Sequence, residues 1–298
     1  MKSVPVAVPA PVATVPAAPE AKPRKRPWRL PRNPIGLVGA VVILCTVAIA
    51  LAAPLVAPYD PASQAQKRLL PPSMQNVMGT DELGRDTFSR VVFGARVSLQ
   101  VGLLAVAIAL VLGTTLGMLA GFYGGRTDDL LMRVVDIMFA FPGLVLAIVI
   151  AGLLGPSRNN AMIAIGIVYA PAFARVLRGS VLAVKQEPYM EAARVVGASD
   201  WRLIRQHVLP NVVAPLIVMI SVYLSQAILS EAALSFLGLG TQPPEPSWGG
   251  MLSASRTYME ISPAMAIFPG AAIMLVVLGF NFLGDGMRDI LDPRLRNL

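Results

Sequence analysis

Charged side chains in this chain fall in clusters, and six long stretches between the clusters carry none. They cover residues 33–59, 97–125, 137–157, 159–174, 206–230 and 261–284, or 27, 29, 21, 16, 25 and 24 residues. About 20 residues of α-helix cross a hydrocarbon core roughly 30 Å thick. Five of the six stretches are long enough outright. The fourth ends at Arg175 and Arg178, whose long stems can carry their charges to the headgroups. Its alternatives are a buried soluble helix or a re-entrant segment. An odd number of spans would leave the segments on either side of it on the wrong faces. The pattern predicts an all-α membrane protein with about six transmembrane helices.

Local signals refine these spans. The first begins near Pro34, a suitable first-turn residue, and ends around residues 54–58. A long outer segment, 59–96, follows, in which Asp86 can cap a helix that starts at Thr87 and feeds the second span. That span contains Gly113-Thr-Thr-Leu-Gly117, small residues that let membrane helices approach closely. The third starts after Asp136 with Pro142 in its first turns, and Gly155-Pro156 turns into the fourth. The fifth runs from about Asn211 to Leu239 and the sixth from about Pro263 to Gly284. The inner stretch from Arg178 to Pro210 is the longest between two spans on its side.

Composition agrees with a lipid-facing chain: 14% of residues are charged, against about 25% in soluble domains. The net charge of +8 invites a nucleic-acid reading, but its distribution argues otherwise. With the N-terminus inside and all six stretches spanning, 18 of the 25 Lys and Arg lie in inside segments and 7 outside. This is the bias that orients membrane proteins, so the basic excess reports topology and no nucleic-acid partner. Residues 1–33, rich in Pro and Ala and then basic (Lys22, Arg24, Lys25, Arg26), read as a disordered cytoplasmic tail ending at the lipid headgroups with Trp28. Residues 34–298 form the transmembrane domain.

Several chemistries are closed. One Cys (Cys45) excludes a disulfide within the chain, and one His (His207) leaves almost no zinc site of the usual composition. No G-x-x-x-x-G-K-[ST] element exists, so the chain does not cradle nucleotide phosphates in a P-loop. No catalytic or metal-ligating set is expected; the chain is not an enzyme and holds no cofactor. Ionisable groups are nearly absent from the spans. Only Glu231, toward the outer side of the fifth span where water would reach it, is a candidate for a pathway role, with a structural helix contact or cap as the alternative. The chain has a membrane path without a power source, so energy has to arrive from a partner at the inner face.

The inner segment reads Glu191-Ala-Ala-Arg-Val-Val-Gly197-Ala-Ser-Asp-Trp-Arg-Leu-Ile-Arg-Gln-His207-Val-Leu209-Pro210. Glu191 to Arg194 favours helix, and Gly197 can end it in the left-handed conformation. Ser199 or Asp200 can then cap a second short helix with Trp201, Ile204 and Val208 on one face, stopped by Pro210. The residues alone leave two readings open: a coupling element, or an amphipathic loop resting on lipid.

This segment resembles the EAA loop of ABC importer permeases at Glu191, Ala192, Ala193, Gly197, Leu209 and Pro210, and departs from the general pattern at His207, a residue frequent there in the dipeptide/oligopeptide branch. The stretch Gly79-Thr-Asp-Glu-Leu-Gly84-Arg-Asp86 with Ser89-Arg90 is similar to an element of the second, C-type permease of peptide and nickel importers. So are 230–238, around Glu231, and the C-terminal run through Asp285, Arg288, Asp292, Pro293 and Arg294. The resemblance covers about residues 34–298. It implies the type I ABC importer permease fold in the cell inner membrane, with both termini cytoplasmic. Within it the loop 179–210 contains the ATPase-coupling residues Glu191, Ala192, Ala193, Gly197, Trp201, Leu209 and Pro210. It further implies a homologous B-type permease, two ATPase subunits that bind the ATP, and an extracytoplasmic solute-binding protein as partners. The implied function is di- or oligopeptide import by alternating access. Import of nickel or another small solute by the same architecture, or secondary transport, are the alternatives. For the Gly79–Asp86 run, scaffolding of the outer loop and contact with the binding protein both remain open.

Overall fold

A computed structural model describes residues 34–291; the tail 1–33, and residues 292–298 with Asp292, Pro293 and Arg294, lie outside the described residues. The regular elements of the described chain are all helices. In order it forms α1 (Pro34–Leu51), α2 (Ala53–Val56), α3 (Thr87–Tyr123), α4 (Gly125–Phe139), α5 (Gly143–Leu154), α6 (Arg158–Lys185), α7 (Pro188–Val195), α8 (Asp200–Leu203), α9 (Leu209–Phe236), α10 (Trp248–Ser255) and α11 (Ala264–Leu291). A π-helical segment, Ile204–Val208, joins α8 to α9 without interruption, so Asp200–Phe236 is one 37-residue helix. Five helices are long and apolar enough to cross a membrane, or six if α4 and α5 together make one broken span.

The weak member of the six is therefore the third and not the fourth. α6 has 28 residues and continues through Arg175 and Arg178 to Lys185. Counting from charge to charge cuts it short because these arginines are paired in place. Arg178 donates from Nε and Nη2 to the two carboxylate oxygens of Asp128 (2.5 and 2.6 Å), and Arg175 Nη2 donates to Asp136 Oδ1 (2.7 Å). Both acids lie on α4, which is held beside α6. With Arg126, Asp128, Asp129, Arg133 and Asp136 on it, α4 cannot enter hydrocarbon unpaired. Instead of extending the third span from Asp136, the chain bends by 93° between α4 and α5. Pro142, which lacks an N–H and has an extended ψ of 127°, starts α5. At about 1.5 Å per residue, the 12 residues of α5 fall short of a full crossing by themselves, so a sixth span requires both members of the bent pair.

Small residues set the closest contacts. Along α3, Gly113, Gly117 and Gly121 face α6: a Cβ on Gly113 would lie 2.5 Å from that of Phe173, one on Gly117 3.0 Å from Leu177, and one on Gly121 2.9 Å from Val181. The G-x-x-x-G element predicted for packing is the centre of the α3–α6 contact. α1 meets α11 the same way, with a Cβ on Gly36 only 2.7 Å from Gly286 Cα.

The outer segment folds around buried charge. Asp86 caps α3, accepting from Ser89 N (2.8 Å) and Oγ (2.7 Å), and also accepts from Asn76 Nδ2 (2.9 Å). Asp81 accepts from Leu83 N and Arg85 N (both 2.9 Å) and from Arg85 Nε (2.6 Å), with Arg90 Nε 3.4 Å away. Arg90 Nη1 reaches the Pro61 carbonyl (2.9 Å), and Thr80 Oγ1 bridges Lys67 O (2.7 Å) and Leu70 N (2.8 Å). Thr80, Asp81, Arg85, Asp86 and Arg90 are all buried. Gly84, at φ +76°, presses on the Gln66 carbonyl where no Cβ would fit. The run Gly79–Asp86 is thus tied into the outer loop by its own side chains.

Candidate functional site

The inner segment is built as two short helices anchored from beneath. α7 starts at Pro188, whose missing N–H costs nothing in a first turn. Gly197 adopts φ +83° and closes a Schellman turn: its N–H donates to Arg194 O (2.9 Å) and that of Ala198 to Ala193 O (3.0 Å). Met190, Leu203 and Val208 are fully buried and hold α7 and α8 to the bundle. Asn211 Nδ2 donates to His207 O (2.6 Å) and to Tyr189 Oη (3.3 Å), fastening α7 to the start of α9.

Two expectations for this segment need correction. Pro210 does not stop the second helix. The Leu209 N–H bonds back to Ile204 O, an i→i+5 bond, so a π turn absorbs the mismatch that the proline introduces and the helix runs on. The predicted apolar face also shifts. Val208 is buried and Ile204 partly so, but Trp201 is 67% exposed. A five-residue step shares a face across a π turn and not across an α turn, which is why Leu203 and Val208 point inward together and Trp201 is left out.

The solvent side of the segment sets exposed apolar groups among the charged Glu191, Arg194, Asp200, Arg202 and Arg205. Val195 and Val196 are each 83% exposed beside Trp201, and Glu191, Ala192, Gly197, Leu209 and Pro210 are exposed with them, while Ala193 is half-buried. From here two rigid elements lead into the spans. α6 ends two residues before α7, and its last residue, Lys185, donates to Phe122 O (2.7 Å) and Gly121 O (3.2 Å) at the C-terminus of α3, a favourable place for a cation. α8 passes directly into α9.

α6 and α9 also wall a groove of about 380 Å³ lined by Phe139, Ala172, Arg175, Val176, Val218, Met219, Val222 and Tyr223. Reading the sequence did not single out these residues, because the groove exists only where α4, α6 and α9 meet. Above it, Tyr169 Oη lies 2.7 Å from Ser230 Oγ and 3.1 Å from Gln226 O. Glu231 lies apart from it. It is completely buried, and the exposure to water anticipated for it is not found. The hydroxyls of Ser98 (3.0 Å) and Ser235 (2.7 Å) donate to its carboxyl group, linking α9 to α3.

Residues 113–297 match the family described as binding-protein-dependent transport system inner membrane component, and residues 26–72 match the N-terminal transmembrane domain of oligopeptide transport permease C. The chain is 48% identical to a dipeptide transport system permease of Alkalihalophilus pseudofirmus over 91% of each chain. It is 46% identical to a probable D,D-dipeptide transport system permease of Escherichia coli, over 90% of each. With a glutathione transport system permease of Pectobacterium atrosepticum it shares 44% identity, over 92% of this chain and 93% of the other. Among solved structures, an inward-facing methionine ABC transporter superposes with a TM-score of 0.56 at 18% identity, over 69% of this chain and 97% of that one. An amino acid ABC transporter does so at 0.52 and 19%, over 71% and 95%. At these identities the structures speak for the fold alone.

Proposed function

The chain belongs to the family of binding-protein-dependent transport system inner membrane components, and from that premise we propose that it is the permease subunit through which an ATP-driven importer carries di- and oligopeptides across the inner membrane. It is a multi-pass membrane transport component, not an enzyme. The relatives named for dipeptide, D,D-dipeptide and glutathione transport support small peptides as the substrate class.

The observation that carries the coupling part of this reading is the exposed apolar surface of Val195, Val196 and Trp201 on a segment whose other side is pinned by Met190, Leu203 and Val208. Such a surface suits a partner groove, and an ATPase subunit is the partner the family supplies. In this reading Glu191, Ala192, Ala193, Gly197, Trp201, Leu209 and Pro210 form the coupling segment, facing the cytoplasm with both chain termini. Closure of two ATPase subunits around ATP pushes on it, α6 and α9 move as its direct extensions, and the path between this chain and a homologous B-type permease opens outward. Hydrolysis resets it. A solute-binding protein delivers the peptide from outside. ATP is bound by the partner subunits, and this chain holds no cofactor.

The test is uptake of a labelled dipeptide in cells whose cognate ATPase cannot hydrolyse ATP. Uptake is expected to vanish, and undiminished uptake would overturn the ATP-driven reading. Labelled nickel, offered in parallel, is expected not to accumulate; accumulation of nickel in place of peptide would reassign the substrate. In the permease itself, Gly197→Pro and Glu191→Lys are expected to abolish uptake with unchanged membrane abundance on immunoblots. If neither lowers uptake, the coupling role is wrong.

A further inference from the structure

The groove between α6 and α9 contains a feature that coupling does not use. Its walls are apolar or aromatic except for one cation, Arg175, about 15 Å (ten residues) above the inner end of α6. A charged side chain among apolar walls is the kind of placed polar group that orients a ligand in a binding site. A cavity of about 380 Å³ is also of the size that holds small ligands.

Two ion pairs one turn apart join α6 to α4, and they differ. Arg178 grips Asp128 through two parallel bonds, with the acid's side chain 15% exposed. Arg175 touches Asp136 through a single bond, with the two side chains 54% and 65% exposed. Fastening α4 is already achieved by the first pair, and an exposed single-bond pair adds about 0–1 kcal/mol at most. Phe139 lies under the Arg175 guanidinium, 4.1 Å from its carbon, and fixes its plane. Among the described residues its hydrogen bond to Asp136 is the only one recorded for that guanidinium, a planar group with five N–H donors suited to bidentate capture of a carboxylate.

We propose that this groove is a station for the substrate in transit, in which Arg175 binds the C-terminal carboxylate of a small peptide, taking it in place of Asp136. This rests on the peptide-import reading above. Dipeptides and glutathione share a free carboxylate but differ in side chains, so a single cation in the wall of an otherwise apolar groove recognises what they have in common. Val176, Val218, Val222 and the ring of Tyr223 accommodate the rest. Because α6 and α9 continue into α7 and α8, movement of the inner segment changes the width of the groove. Return of Asp136 to Arg175 then releases the peptide.

The test uses the complete importer with its own ATPases and binding protein, in cells lacking other peptide uptake. It compares uptake of a labelled dipeptide with that of the same dipeptide as its C-terminal amide. The binding protein is common to all variants, so a change in the acid-to-amide ratio reports the permease. Arg175→Gln is expected to lower acid uptake at least about tenfold, the weight of a charge-assisted hydrogen bond, and to collapse the ratio. Arg175→Lys restores part of it, and Asp136→Asn keeps or widens it. Arg178→Gln, which loosens α4 itself, lowers both substrates alike. If the Arg175 pair only fastens α4, Arg175→Gln and Asp136→Asn act equally; that result, or an unchanged ratio in Arg175→Gln, overturns the proposal. Uptake that persists with an ATPase unable to hydrolyse ATP would instead count against the importer reading, which keeps the two failures apart.

Discussion

The outer segment around Asp81 and the inner segment around Gly197 are both short excursions between spans, and they are built on opposite rules. In the outer one, polar and charged groups are inside: buried Asp81 pairs with Arg85 and Arg90, and buried Asp86 accepts from Ser89 and Asn76. In the inner one, apolar groups are outside, with Val195, Val196 and Trp201 bare above the anchors Met190, Leu203 and Val208. A region that pairs most of its buried polar groups internally is held together by its own side chains. A region that leaves apolar surface over a rigid base is shaped for something else to cover it. The contrast fits a scaffold in the first and, on the function proposed above, a contact in the second.

The contrast can be broken by mutation, and the largest effect is expected outside. Asp81→Ala strands the buried Arg85 and Arg90, and losing one partner of such a cluster costs about 3–5 kcal/mol. The purified importer in detergent is expected to melt well below wild type by tryptophan fluorescence. An unchanged melting temperature would mean that the outer cluster is not a scaffold. Leu203→Ala, inside the inner segment but on its anchored side, is expected to cost about 2–5 kcal/mol in the same assay. Gly84→Ala forces a side chain onto a left-handed backbone against Gln66 O, for about 1–3 kcal/mol. The smallest change in stability is expected for Val195→Ser and Trp201→Ala, within about 0.5 kcal/mol. Yet these two should lower uptake and co-purification of the ATPase the most for their cost. Should they destabilise the permease as much as Leu203→Ala does, the surface is part of the core and not a contact.

Proline shows where reading a sequence stops. Pro142 marks a 93° break, while Pro171, Pro215 and Pro269 lie inside continuous helices and Pro210 follows a π turn that keeps its helix whole. The ring is the same in each case, but what differs is whether neighbours allow the chain to go on. At Pro142 the preceding helix is held aside by Arg175 and Arg178, 39 and 50 residues away from their acids. Separations of that kind leave no periodic mark, so by charge spacing alone the third stretch reads as whole and the fourth as short. Trp201 leaves its expected face for a related reason, since a helical wheel at 3.6 residues per turn does not contain the π turn at Ile204–Val208.

What the sequence determined by itself is everything set by transfer free energy or by a few adjacent residues: the order of the apolar helices, the Asp86 cap, the left-handed Gly197 turn, the glycine face of α3 and the inner segment as a distinct part. These depend on local chemistry that travels with the residues. Only the tertiary structure decided which charges pair, which of the six stretches is broken, that Glu231 is sealed between Ser98 and Ser235, and that Arg175 stands at a groove. Those outcomes depend on which helices become neighbours, and burial, pairing and cavities belong to the neighbours together and to no residue alone.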